Sequence, residues 1–184
     1  MESLFGDAVS TVVEFVKANA FWAPFVVGAL AFGESLAFIS LLIPAWGALV
    51  AMGALISAGA IDFVPVWIAG AIGAALGDWL SYWLGVRFKD PIGHVWPLSR
   101  YPDLLPRGHA FVEKWGIYGI FIGRFFGPLR ASVPLCAGIF EMPYWHFQIA
   151  NFVSAFVWAA VLLKLGDFGM QAMNFISEWF HRVF

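Results

Sequence analysis

Charge is scarce in this sequence: Asp, Glu, Lys and Arg together make up 12% of its 184 residues. A soluble domain carries about twice that share, with about 45–50% apolar residues. Here the apolar share is 61% and the mean hydropathy is +0.81. A chain of this length cannot hide so much apolar surface inside one water-surrounded core. A soluble fold is therefore excluded, and lipid must solvate part of the protein. The formal net charge is -2 and no basic tail is present, so there is no case for nucleic acid. Cysteine is almost missing. Cys136 stands alone, which rules out an intrachain disulfide. It lies in an apolar stretch with no His nearby and reads as a packing residue, not a thiol nucleophile. His94 and His181 have no metal-ligand spacing, and no metal or cofactor is expected. A basic n-region is also missing. The first segment carries Glu2, Asp7 and Glu14, so no cleavable signal peptide is expected and the spans themselves direct insertion.

What the sequence has in quantity is aromatic: 10 Trp and 20 Phe, the anchors of a protein seated at two lipid–water interfaces. The organisation is that of one membrane domain. Residues 1–20 predict an amphipathic helix, with Ser3, Asp7, Ser10, Glu14 and Lys17 on one polar stripe. Residues 167–184 predict another, with Gln171, Asn174, Glu178, His181 and Arg182 on its polar face. Between them lie two apolar regions that are broken and two that are clean. Residues 21–60 are interrupted at Gly33-Glu34-Ser35 and at Pro44-Ala45-Trp46-Gly47, and 63–86 form a span containing Asp78. Residues 87–109 are polar and rich in proline, a loop outside the bilayer whose arginines suggest the cytoplasmic side. Residues 110–140 are broken at Gly127-Pro128, and 144–165 form the last span. The order broken region, span, loop, broken region, span is a weak duplication, 21–86 against 110–166. With one span in each half, the two repeats would be inverted relative to each other, an architecture in which broken helices meet near the bilayer midplane. The fold class expected is an all-α integral membrane protein, with a bundle of kinked helices as the plainer alternative.

Four ionisable residues lie inside apolar stretches: Glu34, Asp78, Arg124 and Arg130. Taken separately at the bilayer centre they would cost about 10–14 kcal/mol in total on insertion scales. The acids can neutralise by taking up a proton; the arginines practically cannot. Arg124 and Arg130 must therefore find anions or a wet cavity. Six residues apart on an unbroken helix, they would differ by about 240° and face apart. A break at Gly127-Pro128 could let both converge on one cavity, with half-helix N-termini adding positive potential. Pro44 and Gly47 could do the same in the first broken region. The bland reading is that Glu–Arg pairs lock helices together. Asp78, one turn before Tyr82, reads equally as a buried clamp or a proton site. Asn151, Tyr82 and Ser132 read as helix-packing hydrogen bonders. Lys164 should snorkel to the interface.

The same residues carry a resemblance. Gly123-Arg124-Phe125-Phe126-Gly127-Pro128-Leu129-Arg130, with Pro134 and Ala137-Gly138, resembles the arginine signature of the DedA family, which is related to the SNARE-associated Golgi or VTT-domain proteins. Gly77-Asp78 with Tyr82 and Gly85 resembles a second element of that family. Met142, Phe147, Asn151 and Trp158 match the segment after the arginine motif. Glu34 resembles the acid that opens the family's first re-entrant region. The resemblance covers roughly residues 22–166. It implies two facing re-entrant hairpins, each followed by transmembrane helices, in a bacterial inner membrane. It also implies translocation of undecaprenyl phosphate or phospholipid, with Glu34, Arg124 and Arg130 as the functional charges. One position departs from the pattern: Trp46 stands where many members carry a second acid. A two-carboxylate proton relay is thereby put in doubt, and Glu34, Arg124 and Arg130 sum to about +1 if all ionise, which suits an anionic headgroup.

The function expected is a lipid transporter, flippase- or scramblase-like, with an anionic lipid phosphate as partner and protons as a candidate coupling ion. Arg124 and Arg130 would bind the phosphate, with Glu34 pairing an arginine in the empty site. Glu34 and Asp78 are the proton-coupling candidates. The alternatives are a proton-coupled exporter of small cations or drugs, and a non-transporting membrane-homeostasis factor. An enzyme is not expected: Ser99-Arg100 to Arg107-Gly108-His109 superficially suggests a lipid-phosphatase site, but no partner Asp follows at helical spacing. Gly70, Gly73, Ala74 and Gly77 could pack helices within one chain or between copies, so a homo-oligomer is also among the expected partners.

Overall fold

The computed structural model describes residues 11, 13–36, 46–88 and 103–183. Residues 1–10 of the first amphipathic segment, the Pro44 break and most of the polar loop, 89–102, lie outside the described residues. Every regular element among the described residues is a helix. A first turn or two at residues 13–18, α1, ends at Asn19, whose side-chain amide donates to the Phe15 carbonyl at 3.1 Å. A 3-10 turn, Ala20–Trp22, leads into α2 (Ala23–Ser35). Then follow α3 (Trp46–Ser57), α4 (Phe63–Arg87), α5 (Leu104–Gly123), α6 (Gly127–Ile139) and α7 (Tyr144–Val183).

Length sorts these helices. Among the described residues, only α4 and Tyr144–Gly169 of α7 are long and apolar enough to cross a membrane. At about 1.5 Å per residue, α2, α3 and α6 reach only about 18–20 Å, short of about 30 Å of hydrocarbon. Tyr82 stacks on Phe147, the Asn151 amide donates to the Ala75 carbonyl, and Gly70 lies near Ala159. The pairing numbers fall along one helix as they rise along the other, so α4 and α7 run antiparallel. Along α2 they rise together: Gly70 lies against Val27, Gly73 against Gly28, and Gly77 against Phe32 and Ser35. This parallel packing brings the C-terminal end of α2, with Glu34, to the level of Asp78. The small residues of α4 thus serve a helix of the same chain.

Three boundaries differ from the sequence expectation, each for a local reason. The last span and the C-terminal amphipathic segment are one continuous helix, because the change from apolar to amphipathic pattern contains no proline and glycines alone do not stop a helix. Residues 104–109, expected as loop, are the first turns of α5; Pro106 falls in the first turn, where its missing N–H leaves no bond unmade. Gly127 and Pro128 open α6 and do not interrupt it, and Gly47 is the second residue of α3. The second break is the turn Arg124-Phe125-Phe126 just before them. A further break has no signal in the hydropathy: inside α5, Gly116 takes φ 50° and ψ -126°. A side chain is strained at that backbone, so Gly116→Ala should lower stability by about 1–3 kcal/mol. Unfolding midpoints in detergent would measure the loss, and an unchanged midpoint would mean the bend is not required.

The ends of α3 and α6 are alike. Ala60 N–H bonds to Leu55 O and Gly59 N–H to Ile56 O; Met142 N–H bonds to Ala137 O and Glu141 N–H to Gly138 O. Both are Schellman closures with a left-handed residue, Gly59 at φ 70° and Glu141 at φ 53°. Two apolar clusters make the core. One joins α1 to α4 and α7 through Val16, Val27, Met52, Val66 and Leu163; the other joins α4 to α7 through Tyr82, Ile120, Val133 and Phe147. Along α4 and α7 a polar layer separates them, with Asp78 and Ser81 on one helix and Asn151 and Ser154 on the other.

Candidate functional site

That layer contains all four ionisable residues of the apolar stretches, and all four are buried. Asp78 lies about 22 Å along α4, whose whole length is about 37 Å, so it sits well inside the span. Arg124 is the C-cap of α5. Phe125 and Phe126 turn outward from the same break while Arg124 turns inward. Its Nη2 donates to Asp78 Oδ2, to Asn151 Oδ1 at 2.5 Å and to the Asn151 carbonyl at 3.3 Å. Asn151 in turn donates to the Ala75 carbonyl at 2.9 Å and to Gln148 Oε1 at 3.4 Å. One guanidinium therefore ties the end of α5 to α4 and α7.

Arg130 lies one turn into α6. Its Nη1 donates to Glu34 Oε1 at 2.5 Å and its Nη2 to the Ser35 hydroxyl at 3.1 Å. Trp158 of α7 covers the guanidinium face, with its ring centroid 4.1 Å from Cζ, a cation–π contact in dry surroundings. Ser81 Oγ links the two halves by donating to the Gly77 carbonyl at 3.0 Å and the Ser35 carbonyl at 3.4 Å. The guanidiniums thus lie in one buried cluster despite their spacing in sequence, because the turn at 124–126 reverses the helical phase between them.

Counted with Asp78, the cluster holds two cations and two anions and is formally neutral; the +1 balance expected from Glu34, Arg124 and Arg130 leaves out this fourth charge. Hydrogen bonding is incomplete. Glu34 Oε2, Asp78 Oδ1, Arg124 Nε and Nη1, and Arg130 Nε are buried with no hydrogen-bond partner among the described residues. Orphans of this kind cost about 1–3 kcal/mol each and call for an explanation. The two pairs are not equivalent. The Arg124 and Asp78 side chains are 1% and 4% exposed, whereas that of Arg130 is 10% exposed. Among the described residues, no three His, Cys, Asp or Glu side chains gather as a metal-ligand group.

Pro44 lies outside the described residues; Gly47, Gly127 and Pro128 form the first turns of α3 and α6. Ser35 and Trp158 contact Arg130, and neither role is visible in the composition. Asn151, read from sequence as a packing group, is a ligand of Arg124 as well as a bridge between helices. One signal could have found two of these: Phe147, Asn151, Ser154 and Trp158 recur at intervals of four, three and four, which puts them on one face of α7.

The family model described as the VTT domain matches residues 43–168, which include three of the four buried charges. Inner membrane protein YabI of Escherichia coli is 36% identical over 145 residues, 78% of this chain and 57% of YabI. Uncharacterized membrane protein BU139 of Buchnera aphidicola is 32% identical over 152 residues, 83% of this chain and 59% of that protein. Inner membrane protein YghB of Escherichia coli is 32% identical over 159 residues, 84% of this chain and 70% of YghB. The chain thus spans less than two thirds of the first two relatives. No solved structure matches the chain significantly. The matched segment, the arginine motif and the membrane-length helices lead to one assignment: this chain is a membrane protein of the VTT-domain, or DedA, family.

Proposed function

We propose that this protein passes the phosphate headgroup of an anionic lipid across a bacterial inner membrane, in which it is a multi-pass protein. The observation that carries the reading is the pair of buried guanidiniums, each held by a carboxylate yet left with unpartnered N–H groups. A buried ion pair contributes little net stability, because desolvation offsets the attraction. Such pairs inside a membrane domain are better explained by a ligand that replaces one carboxylate. A phosphate offers several acceptor oxygens in the fork geometry that guanidinium matches.

Arg130 is the exchanging cation in this reading. Its position in the first turn of α6 adds the positive end of a helix, and the Ser35 hydroxyl adds a donor. Glu34 occupies the anion position in the empty site. It leaves on taking up a proton or on arrival of the headgroup. Arg124, bound by Asp78 and Asn151, keeps the framework and the local potential. Acyl or prenyl chains stay in the bilayer throughout.

Two inverted repeats, α2–α4 and α5–α7, are the architecture we propose for this movement. The short helices support it, as re-entrant elements of about half a membrane. So does the exchange of partners, in which α3 packs on α7 and α6 on α4 through matching glycine contacts.

The test is lipid movement in vesicles reconstituted with the purified protein, followed with a fluorescent anionic phospholipid. Arg130→Ala should slow movement by about tenfold or more, the worth of a charged hydrogen-bond pair, while circular dichroism stays unchanged. Wild-type rates in the folded variant would refute the assignment. Glu34→Gln, which mimics the protonated acid, should retain movement and lose its response to a pH gradient.

A further inference from the structure

A groove of about 460 Å³ runs along the outer seam of α4 and α7, the two helices long enough to span the bilayer. Its walls change character along the membrane normal. Tyr144 and Trp145, at the start of α7, stand at one end, the amphipathic aromatics that settle at headgroup level, and Trp79 stands deeper, next to Asp78. Leu76, Ile149 and Phe152 make the other end, with no polar group among them.

Gln148 breaks the apolar lining. It is only 8% exposed and lies about 6 Å along α7 from Tyr144, below the aromatic end. Its Oε1 accepts from Asn151, whose own Oδ1 accepts from Arg124. Its amide nitrogen has no partner among the described residues. A donor left open in an apolar groove at this depth is costly unless something there accepts from it. Behind Gln148 lie Arg124 Nε and Nη1, also without partners.

We propose that this groove docks one phosphate-bearing lipid, with its phosphate accepting from Gln148 and its chain laid along Leu76, Ile149 and Phe152, as the lateral mouth of the buried arginine site. The inference rests on the lipid reading above and adds the entrance and the residue that marks it. The occupant is an amphiphile because the lining is amphiphilic in the same order. Its headgroup is an acceptor because the open groups from Gln148 inward are donors, Gln148 Nε2 and Arg124 Nε and Nη1, against one open carboxylate oxygen, Asp78 Oδ1.

The full chain in phosphatidylcholine nanodiscs carries the test. A small share of phosphatidic acid with a diazirine on its chain is photolysed and labelled residues are read by mass spectrometry. Diacylglycerol with the same chain, lacking the phosphate, is the comparison. Phosphatidic acid should label Ile149 and Phe152 about three- to tenfold more than diacylglycerol, the worth of one hydrogen bond. Gln148→Leu should bring the two probes to parity, and Gln148→Glu, which keeps the size and polarity, should do so as well. Equal labelling in the wild type makes the groove ordinary lipid contact and overturns the proposal. Lipid movement measured on the same preparations separates the two readings. Selective labelling without movement removes transport and leaves the docking site standing. Movement that depends on Arg130 with unselective labelling does the reverse.

Discussion

Alanine at Asp78 should cost the protein about 3–5 kcal/mol, because the Arg124 guanidinium would stay charged and buried with its anion gone. The acid partner of a buried pair can escape by taking up a proton, but arginine has no such exit. Arg124 is also pinned from α7 by Asn151, so it cannot swing to water without breaking both of its bonds to that residue. Arg124→Ala should cost less, because Asp78 loses its main partner but can then take up a proton. The double variant is the decisive one. With both charges removed, it should be more stable than the sum of the single losses by about 1–3 kcal/mol, the coupling of residues in direct contact. Reversible unfolding in mixed micelles, followed by tryptophan fluorescence, measures all three. Strict additivity would mean that the two side chains do not act as a pair. Glu34→Ala should cost less than Asp78→Ala, because Arg130 keeps Ser35 and the Trp158 ring and is less deeply buried than Arg124. This ordering is what separates a fixed clamp from an exchanging pair.

The difference between the pairs also bears on legibility. Composition and hydropathy locate the spans well: 63–86 in the sequence is Phe63–Arg87 in the structure. The four intramembrane charges are visible because an isolated charge in hydrocarbon is too costly to go unexplained. Their partners are not, because cost says that a partner exists and not which one. Asp78 could have served Arg124 or Arg130, and only the packing of α4 against α7 and the end of α5 decides. Ser35 is invisible for the same reason: it follows Glu34 in a helix end and reaches Arg130 only because α2 lies parallel to α4. The bend at Gly116 has no signal, since glycine inside an apolar run is equally compatible with a straight helix. The length of α7 is misread because an amphipathic segment after an apolar one looks like a new element, whereas the backbone needs no reason to continue and would need one to stop. Residues that open helices, Gly127-Pro128, are read as breaks because proline signals a boundary without saying on which side of it the helix lies.

Gly85→Ala and Gly138→Ala should each prevent a stable fold, with a loss of about 3 kcal/mol or more from a single added methyl group. A Cβ at Gly138 would collide with the Tyr82 carbonyl, and one at Gly85 with the Leu135 carbonyl. Each obstacle is backbone, so no rotamer change relieves it and the helices must separate. Separation at this crossing would pull Tyr82 off its bond to the Met142 carbonyl, now 2.7 Å, and off its stack on Phe147. Asp78 lies two turns from Gly85 on the same helix, so the charged layer would open with it. The same geometry holds at the other crossing, where Gly53 meets the Leu163 carbonyl and Gly166 meets the Val50 carbonyl, and Gly53→Ala should do equal damage. Gly33→Ala and Gly47→Ala are the controls. Both are helical, and a Cβ at either meets nothing within 4 Å. They should be neutral or gain about 0.5–1 kcal/mol through helix propensity. The amount of monodisperse protein recovered from membranes, with its unfolding midpoint, separates the groups. Wild-type recovery of Gly85→Ala would mean that α4 and α6 do not cross in contact, and the buried position of the arginine layer between them would have to be given up as well.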